Sequence, residues 1–327
     1  MLTIGVPTFN RGDAICRFVG HILASEIQKC AKILIIDNAS TDNSFERLLE
    51  LCQGTAIRLL RNSQNIGFGG SFLRLFKECD TEYLLITSDE DDVIEEHLEH
   101  LLVYLNEEQP LFVSPQVFRE GVLYRGRKKI KVIEPDDFRN ASFYISGLAF
   151  NLPASRSAIQ SIYKHFIKDG QVYPQVLLTA ALIPSRRCMW LNMPITKIMI
   201  EIPMYTELSK HGIRNHENGK WQGLYTDVSA RWHQHQLFEE FLRDLEAIQK
   251  RPKEKHLVTR MMVAHEEILF DMMRFGIKME RSDLLHEFDR GARRFYLLDA
   301  IRRIKLIIPF LRYLPIPRFV RKWASRG

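Results

Sequence analysis

The chain has 327 residues, 46% of them hydrophobic and 26% charged, with a formal net charge of +6 at pH 7. That length supports one large core plus a smaller addition. No period marks a repeat, no segment is low in complexity, and no uncharged apolar run approaches the ~20 residues needed to span a bilayer.

Strands and helices alternate from the start. The apolar stretch 2–6 reads as a strand ending at Pro7-Thr8-Phe9-Asn10-Arg11, and Gly12-Asp13 opens a helix to about Ser25. A second strand, 33–36, ends in Asp37-Asn38-Ala39-Ser40-Thr41-Asp42, followed by a helix over about 44–51. A third, 57–60, leads into Asn62-Ser63-Gln64-Asn65-Ile66-Gly67-Phe68-Gly69-Gly70, with a helix from near Ser71. The fourth, 83–87, ends in the acids Asp89-Glu90-Asp91-Asp92, before a helical pattern over 94–105. Short continuous apolar strands in this rhythm predict an α/β, Rossmann-like, mostly parallel sheet with helices on both faces. Right-handed crossovers then gather the four polar clusters along one edge, where such sheets bind ligands.

The acidic run is the most telling of the four. Close carboxylates repel one another unless a cation or substrate compensates them, and hard oxygen donors suit Mg²⁺ or Mn²⁺ bridging to a diphosphate. Acids also favour a helix N-terminus, so a solvated helix start is the second reading of the same residues. Residues 65–70 read as a glycine-rich loop that permits close backbone approach to a ligand ahead of a helix N-terminus, without the spacing of a dinucleotide fingerprint.

With Gly5-Val6-Pro7-Thr8-Phe9-Asn10-Arg11, Ile35-Ile36-Asp37-Asn38-Ala39-Ser40-Thr41-Asp42, Asn65-Ile66-Gly67-Phe68-Gly69-Gly70 and the acid-any-acid motif of Asp89-Glu90-Asp91, the chain resembles the nucleotide-sugar glycosyltransferases of family 2. These have the A-type fold and commonly make bacterial surface polysaccharides. The matching motifs lie in the N-terminal third. The resemblance implies that Pro7, Thr8, Asn10 and Arg11, with Asp37 and Asn38, hold the nucleotide, Asp37 accepting a hydrogen bond from the base. It further implies donor contacts from Asn65, Gly67, Gly69, Asp89 and Glu90. Asp91 is expected to touch the metal directly, Asp89 to bind the ribose or the metal through water, and Asp92 to orient the site. For Asp42, helix capping is an equal reading.

The acceptor side is less marked. Tyr144-Ile145-Ser146-Gly147-Leu148-Ala149-Phe150 looks like the family's strand beneath the sugar, with Ser146-Gly147 allowing close approach of the donor. An ordinary core strand with one glycine reads identically. A helix over 153–167 follows. Family members commonly place a catalytic base soon after, in an acidic pair at the head of another helix. Here that place reads Tyr173-Pro174-Gln175 and holds no carboxylate. Asp169 is the nearest acid and the candidate base, with a turn at Asp169-Gly170 as the alternative; Glu134, Asp136 and Asp137 are further candidates if the chain folds back. His211, His216, His233 and His235 read as a late metal ligand or as solvated histidines, and Trp221, Tyr225 and Trp232 as sugar-stacking rings or a second small core.

A catalytic domain is expected over 1–200, an acceptor or loop region over 201–235 and a C-terminal helical extension over 236–327. Helical spacing runs through 236–250, 254–275 and 282–290, and the methionines at 261, 262, 272 and 273 read as packing. From 290 to 326 eleven basic residues face one acid, Asp299, so the basic character belongs to this tail and the rest of the chain is net acidic. Leu297, Leu298, Ile301, Ile304, Ile308 and Leu311 recur beside Arg302, Arg303 and Lys305, while Pro309, Pro315 and Pro317 break the helix. The tail is therefore expected to lie on an anionic membrane surface, or else to pack on the catalytic domain with its basic face in water. Aliphatics interleaved with the basic residues argue against nucleic acid.

The first residues read as a strand rather than a signal peptide, and Cys16, Cys30, Cys52, Cys79 and Cys188 show no zinc spacing. A cytoplasmic enzyme held peripherally at the inner face of the membrane is the expectation. Its expected activity is inverting transfer of a sugar from a nucleotide-diphosphate donor to a hydroxyl of a lipid-linked or other glycan, with inversion following from the resemblance alone. Two other classes compete. A nucleotidyltransferase would need a glycine-rich, Arg- and Lys-bearing loop after the first strand, which Pro7 to Arg11 does not provide. A non-catalytic, membrane-attached subunit of a polysaccharide assembly complex is compatible with the missing acidic pair near Gln175.

Overall fold

A computed structural model describes residues 1–119, 121–168, 173–199, 228–248 and 256–261, and the chain divides into two compact units, Met1–Lys210 and His211–Gly327. The first unit opens with β1 (Leu2–Thr8), α1 (Gly12–Ala24), α2 (Ile27–Cys30), β2 (Ala31–Asp37), α3 (Ser44–Cys52), β3 (Arg58–Arg61), α4 (Gly67–Glu78) and β4 (Tyr83–Ile86). It continues through β5 (Asp92–Val93), α5 (Glu95–Glu108), β6 (Phe112–Arg119), β7 (Val122–Arg125), β8 (Lys131–Val132), α6 (Phe138–Ser142), β9 (Leu148–Asn151), α7 (Leu152–Phe166), α8 (Pro174–Leu182), β10 (Cys188–Pro194) and β11 (Thr196–Lys197).

Among the described residues the main sheet has nine strands, in the order β3-β2-β1-β4-β9-β6-β10-β8, with β7 pairing to β6. β1 to β4 are mutually parallel, as the apolar strands predicted. β9 enters antiparallel between β4 and β6. A separate two-stranded ribbon pairs β11 with β5, setting Thr196 opposite Val93 and Lys197 opposite Asp92.

Alternation along β1 explains the two layers. Leu2, Ile4 and Val6 face Ile15, Phe18, Val19 and Ile22 of α1, Leu48 of α3 and Leu98, Leu101 and Leu105 of α5, all fully or nearly fully buried. Gly5 faces the other side, where a Cβ would come within 2.8 Å of Leu84 and 2.9 Å of Leu75. That side is filled by rings: Phe72 lies 4.9 Å from Phe76 and 6.4 Å from Phe166, and Phe76 lies 5.6 Å from Phe150, centroid to centroid.

Two elements begin elsewhere than the sequence pattern predicts. α4 starts at Gly67, so the glycines form its first turn instead of a loop before it. Asn65 Oδ1 accepts from the Gly67 amide (2.9 Å), and a Cβ on Gly70 would lie 2.7 Å from Ile66 Cγ1, so only glycine lets that turn close. The strand expected over 144–150 begins at Leu148, because residues 144–147 are drawn into a turn with Gly147 at φ +83°.

In the second unit, α9 (Val228–Ile248) buries Leu237, Phe238, Phe241, Leu242 and Leu245, and the helical residues 256–261 bury Val258 and Met261. Asp169, His211, His216 and the basic tail fall outside the described residues. Among the described residues, no helix is long and apolar enough to cross a membrane.

Candidate active site

The C-terminal ends of β2, β1 and β4 lie side by side, and the loops that leave them are bound to one another. Asn38 N donates to Thr8 O (2.9 Å), Asn10 N to Ser40 Oγ (2.9 Å), and Thr41 N to Asn10 Oδ1 (2.8 Å). Asn10 takes a left-handed backbone (φ +52°), which asparagine tolerates. From the end of β1, Thr8 Oγ1 donates to Asp89 Oδ2 (2.7 Å). Arg11, at the head of α1, reaches Asp89 Oδ1 (3.3 Å) and pairs with Glu90. Burial pushes the Glu90 carboxyl up, and Arg11 opposes it.

Asp37 closes β2 and is fully buried. Its Oδ2 accepts from the Ser40 amide (3.1 Å) and lies 3.3 Å from Arg61 Nε, while its Oδ1 has no hydrogen-bond partner among the described residues. A buried carboxylate oxygen with nothing to accept is costly unless a ligand supplies the donor. Asn38 is turned to structure: its Nδ2 donates to Asn65 Oδ1 (2.8 Å), and its Oδ1 accepts from Asn62 Nδ2 (2.7 Å) and the Ile66 amide (3.0 Å). Asn38 and Asn65 therefore fasten the entry of α4 to the end of β2. Asp42 accepts from the Ser44 amide (2.9 Å), an Asx-type turn just ahead of Asn43, the N-cap of α3.

The acids after β4 are divided by direction. Asp89 spends both oxygens on Thr8 and Arg11. Asp92 pairs with Arg17 of α1, whose Nη2 also donates to Glu90 O (2.6 Å), so Asp92 faces the helix. Asp91 is fully buried, and its Oδ2 accepts from Tyr144 Oη (2.6 Å) and Ser146 Oγ (2.5 Å). Its Oδ1 has no hydrogen-bond partner among the described residues. Burial raises the Asp91 carboxyl above its usual range, opposed by the Ser146 and Tyr144 hydroxyls and more weakly by the nearby Met199 backbone amide. Burial and the facing carboxylate push the Tyr144 phenol well up, so it stays a donor.

The head of α8 presents Gln175, buried, with Nε2 donating to Phe143 O (3.4 Å) and Oε1 without a hydrogen-bond partner among the described residues. An amide cannot take a proton as a carboxylate does. Glu134 is paired with Arg186 (3.1 Å) and Asp137 with Arg127 (2.6 Å). Among the described residues, no group of three or more His, Cys, Asp or Glu is arranged to hold a metal. Thus Thr8, Arg11, Asp89, Glu90 and Asp91 lie at the one sheet edge where crossovers between parallel strands gather them, with Asp37 on the neighbouring strand end. Arg61, Tyr144 as a hydroxyl donor, and Arg125 behind it were not found from the sequence, because their partners are distant in the chain and no motif marks them.

Residues 3–171 match the family model described as Glycosyl transferase family 2. The chain belongs to that family. It is accordingly a glycosyltransferase, and the matched span covers β1 through α7 and every carboxylate described at the sheet edge. No curated protein matches the sequence. The family 2 chain is similar in fold to S. aureus TarS 1-349 in complex with UDP-GlcNAc, with TM-score 0.55 and 10% identity over 90% of this chain and 91% of that one. It is also similar to the mannosyltransferase PcManGT from Pyrobaculum calidifontis in complex with GDP-Man and Mn²⁺, with TM-score 0.51 and 14% identity over 99% of this chain and 83% of that one. Against the longer S. aureus TarS structure (TM-score 0.51, 11% identity) it covers 89% of its own length and spans 55% of that chain.

Proposed function

We propose that this family 2 glycosyltransferase moves a sugar, with inversion, from a nucleoside diphosphate donor to a hydroxyl of a lipid-linked glycan in the assembly of a bacterial surface polysaccharide. The observation that carries the reading is Asp91, a buried carboxylate at the ligand edge with one oxygen held and the other unpartnered. Hard oxygen donors of this kind fit Mg²⁺ or Mn²⁺, which accept one or two carboxylates and complete their shell with phosphate oxygens and water. Asp91 would hold the ion directly, and Asp89, already engaged by Thr8 and Arg11, through water. When bound, the ion would offset the negative charge that develops on the departing nucleoside diphosphate. Asp37 Oδ1 accepts a ring N–H of the base, so it favours bases that present one there. Pro7, Thr8, Asn10 and Arg11 line the nucleotide. Asn38, Asn65, Gly67 and Gly69 set the loop beside it, and Glu90 holds Arg11 in place. The UDP-GlcNAc and the GDP-Man with Mn²⁺ in the similar structures support a nucleotide-sugar donor and a divalent ion.

Asp169 remains the candidate base. The amide at Gln175 favours one other reading, a non-catalytic subunit of an assembly complex that binds donor without transferring it. Release of nucleoside diphosphate from candidate nucleotide sugars separates the two. Asp91→Ala is expected to lower both transfer and donor hydrolysis by roughly 100-fold or more while the protein stays folded. Full activity in that variant refutes the assignment, and a wild-type protein that binds donors yet releases nothing supports the non-catalytic reading.

A further inference from the structure

The carboxylate of Asp91 is asymmetric in its surroundings. One oxygen takes two hydroxyl donors and the other takes none from the described residues, so Tyr144 and Ser146 hold the last side-chain bond in place, with the Met199 backbone amide nearby. That torsion is otherwise broad, so without the two hydroxyls the plane of the carboxylate would turn away from one fixed direction. Both hydroxyls come from the four-residue turn that precedes β9. The turn is fixed on one side by the Gly147 amide to Ile86 O (2.9 Å) and by the Ser88 amide to Ser146 Oγ (2.9 Å).

Its other side rests on Arg125 of β7. This guanidinium is buried, and it donates to three main-chain carbonyls: Tyr144 O, Ser146 O (3.1 Å) and Pro115 O (3.3 Å). It also lies 5.9 Å from the centre of the Tyr144 ring. A planar fork that grips the carbonyls of residues 144 and 146 fixes the direction of both side chains they flank.

We propose that Tyr144 is a positioning residue for the metal–donor site, oriented by Arg125, and that together with Ser146 it holds Asp91 so that Oδ1 faces the ion. Arg125 touches no substrate atom; it acts through the turn. The inference rests on the metal reading of Asp91 and deepens it, because it states what makes one carboxylate oxygen available. Lysine cannot replace Arg125, since a tetrahedral ammonium does not span two carbonyls in one plane. Phenylalanine at 144 keeps the ring and removes only the donor.

The test is Mn²⁺ binding by the full chain, with free Mn²⁺ read by electron paramagnetic resonance while UDP, GDP, CDP and dTDP are present in turn. Tyr144→Phe and Arg125→Lys are each expected to weaken Mn²⁺ binding by about tenfold, and the double variant by about tenfold rather than a hundredfold, because both act on one carboxylate. Where Arg125→Lys fails to fold, Arg125→Gln replaces it in the cycle. Wild-type binding that is unchanged in Tyr144→Phe overturns the positioning role and leaves the metal reading standing. Losses that multiply in the double variant overturn the link between Arg125 and Tyr144. Absence of Mn²⁺ binding by the wild type with all four nucleotides overturns the metal reading and the proposal with it.

Discussion

Asp91, the proposed metal ligand, carries a charge that opposes the stability of its own fold. Its carboxyl is raised by burial, so between the unfolded and native values the folded chain keeps a proton that the unfolded chain has released. Above that window the ionised group costs stability, and the cost fades as the pH falls through the native value. Asp91→Asn, which removes the charge, is therefore expected to raise Tm at neutral pH by on the order of 2 °C, with the difference closing in acid. Thermal unfolding at several pH values measures it; equal Tm at neutral pH sinks the idea of an uncompensated carboxylate. The placement of Asp37, Asp89 and Asp91 at one edge of the sheet was legible in the sequence because strand, polar cluster and helix follow one another within a few residues. Arg125 and the Tyr144 hydroxyl were not. The Tyr144–Asp91 contact joins positions 53 apart, and a basic residue in a hairpin rich in lysine and arginine gives no sign that it is the buried one.

At the scale of elements, the apolar runs of β1, β2 and β4 were legible because both faces of the sheet are covered, and a strand buried twice needs no alternation. β9 was misjudged by four residues because its first part is held by the site rather than by the ladder. Gly147 marks that change: φ is +83° and a Cβ would stand 2.9 Å from Pro115 Cγ. Gly54 has a similar backbone, φ +74°, with nothing within 4 Å of its absent Cβ. Gly147→Ala is thus expected to cost about 2 kcal/mol or more, from strain plus overlap, and Gly54→Ala only about 1 kcal/mol. Urea unfolding of the two variants checks the order, and the reverse order would show that the turn is not tightly packed.

For the whole molecule, charge is the feature that the sequence carries best, since the eleven basic residues between 290 and 326 need no geometry to be counted. We propose that this tail holds the enzyme on anionic lipid at the inner face of the cell membrane, each well-placed basic residue contributing about 1 kcal/mol. In full-length protein, joint replacement of Arg302, Arg303 and Lys305 by glutamate is expected to weaken flotation with phosphatidylglycerol vesicles by at least about tenfold. Undiminished flotation would remove the tail from the account.

The acids sit on a short arch with both abutments fixed: β4 enters the sheet on one side, and on the other the β5–β11 ribbon is reinforced by the Ile94 amide bonding to Ile195 O (2.9 Å). Carboxylates on a free loop would drift apart to relieve their mutual repulsion, and a cation would have to gather them again. Held on this span they cannot retreat, so the ordering entropy is spent when the chain folds and not when the substrate arrives.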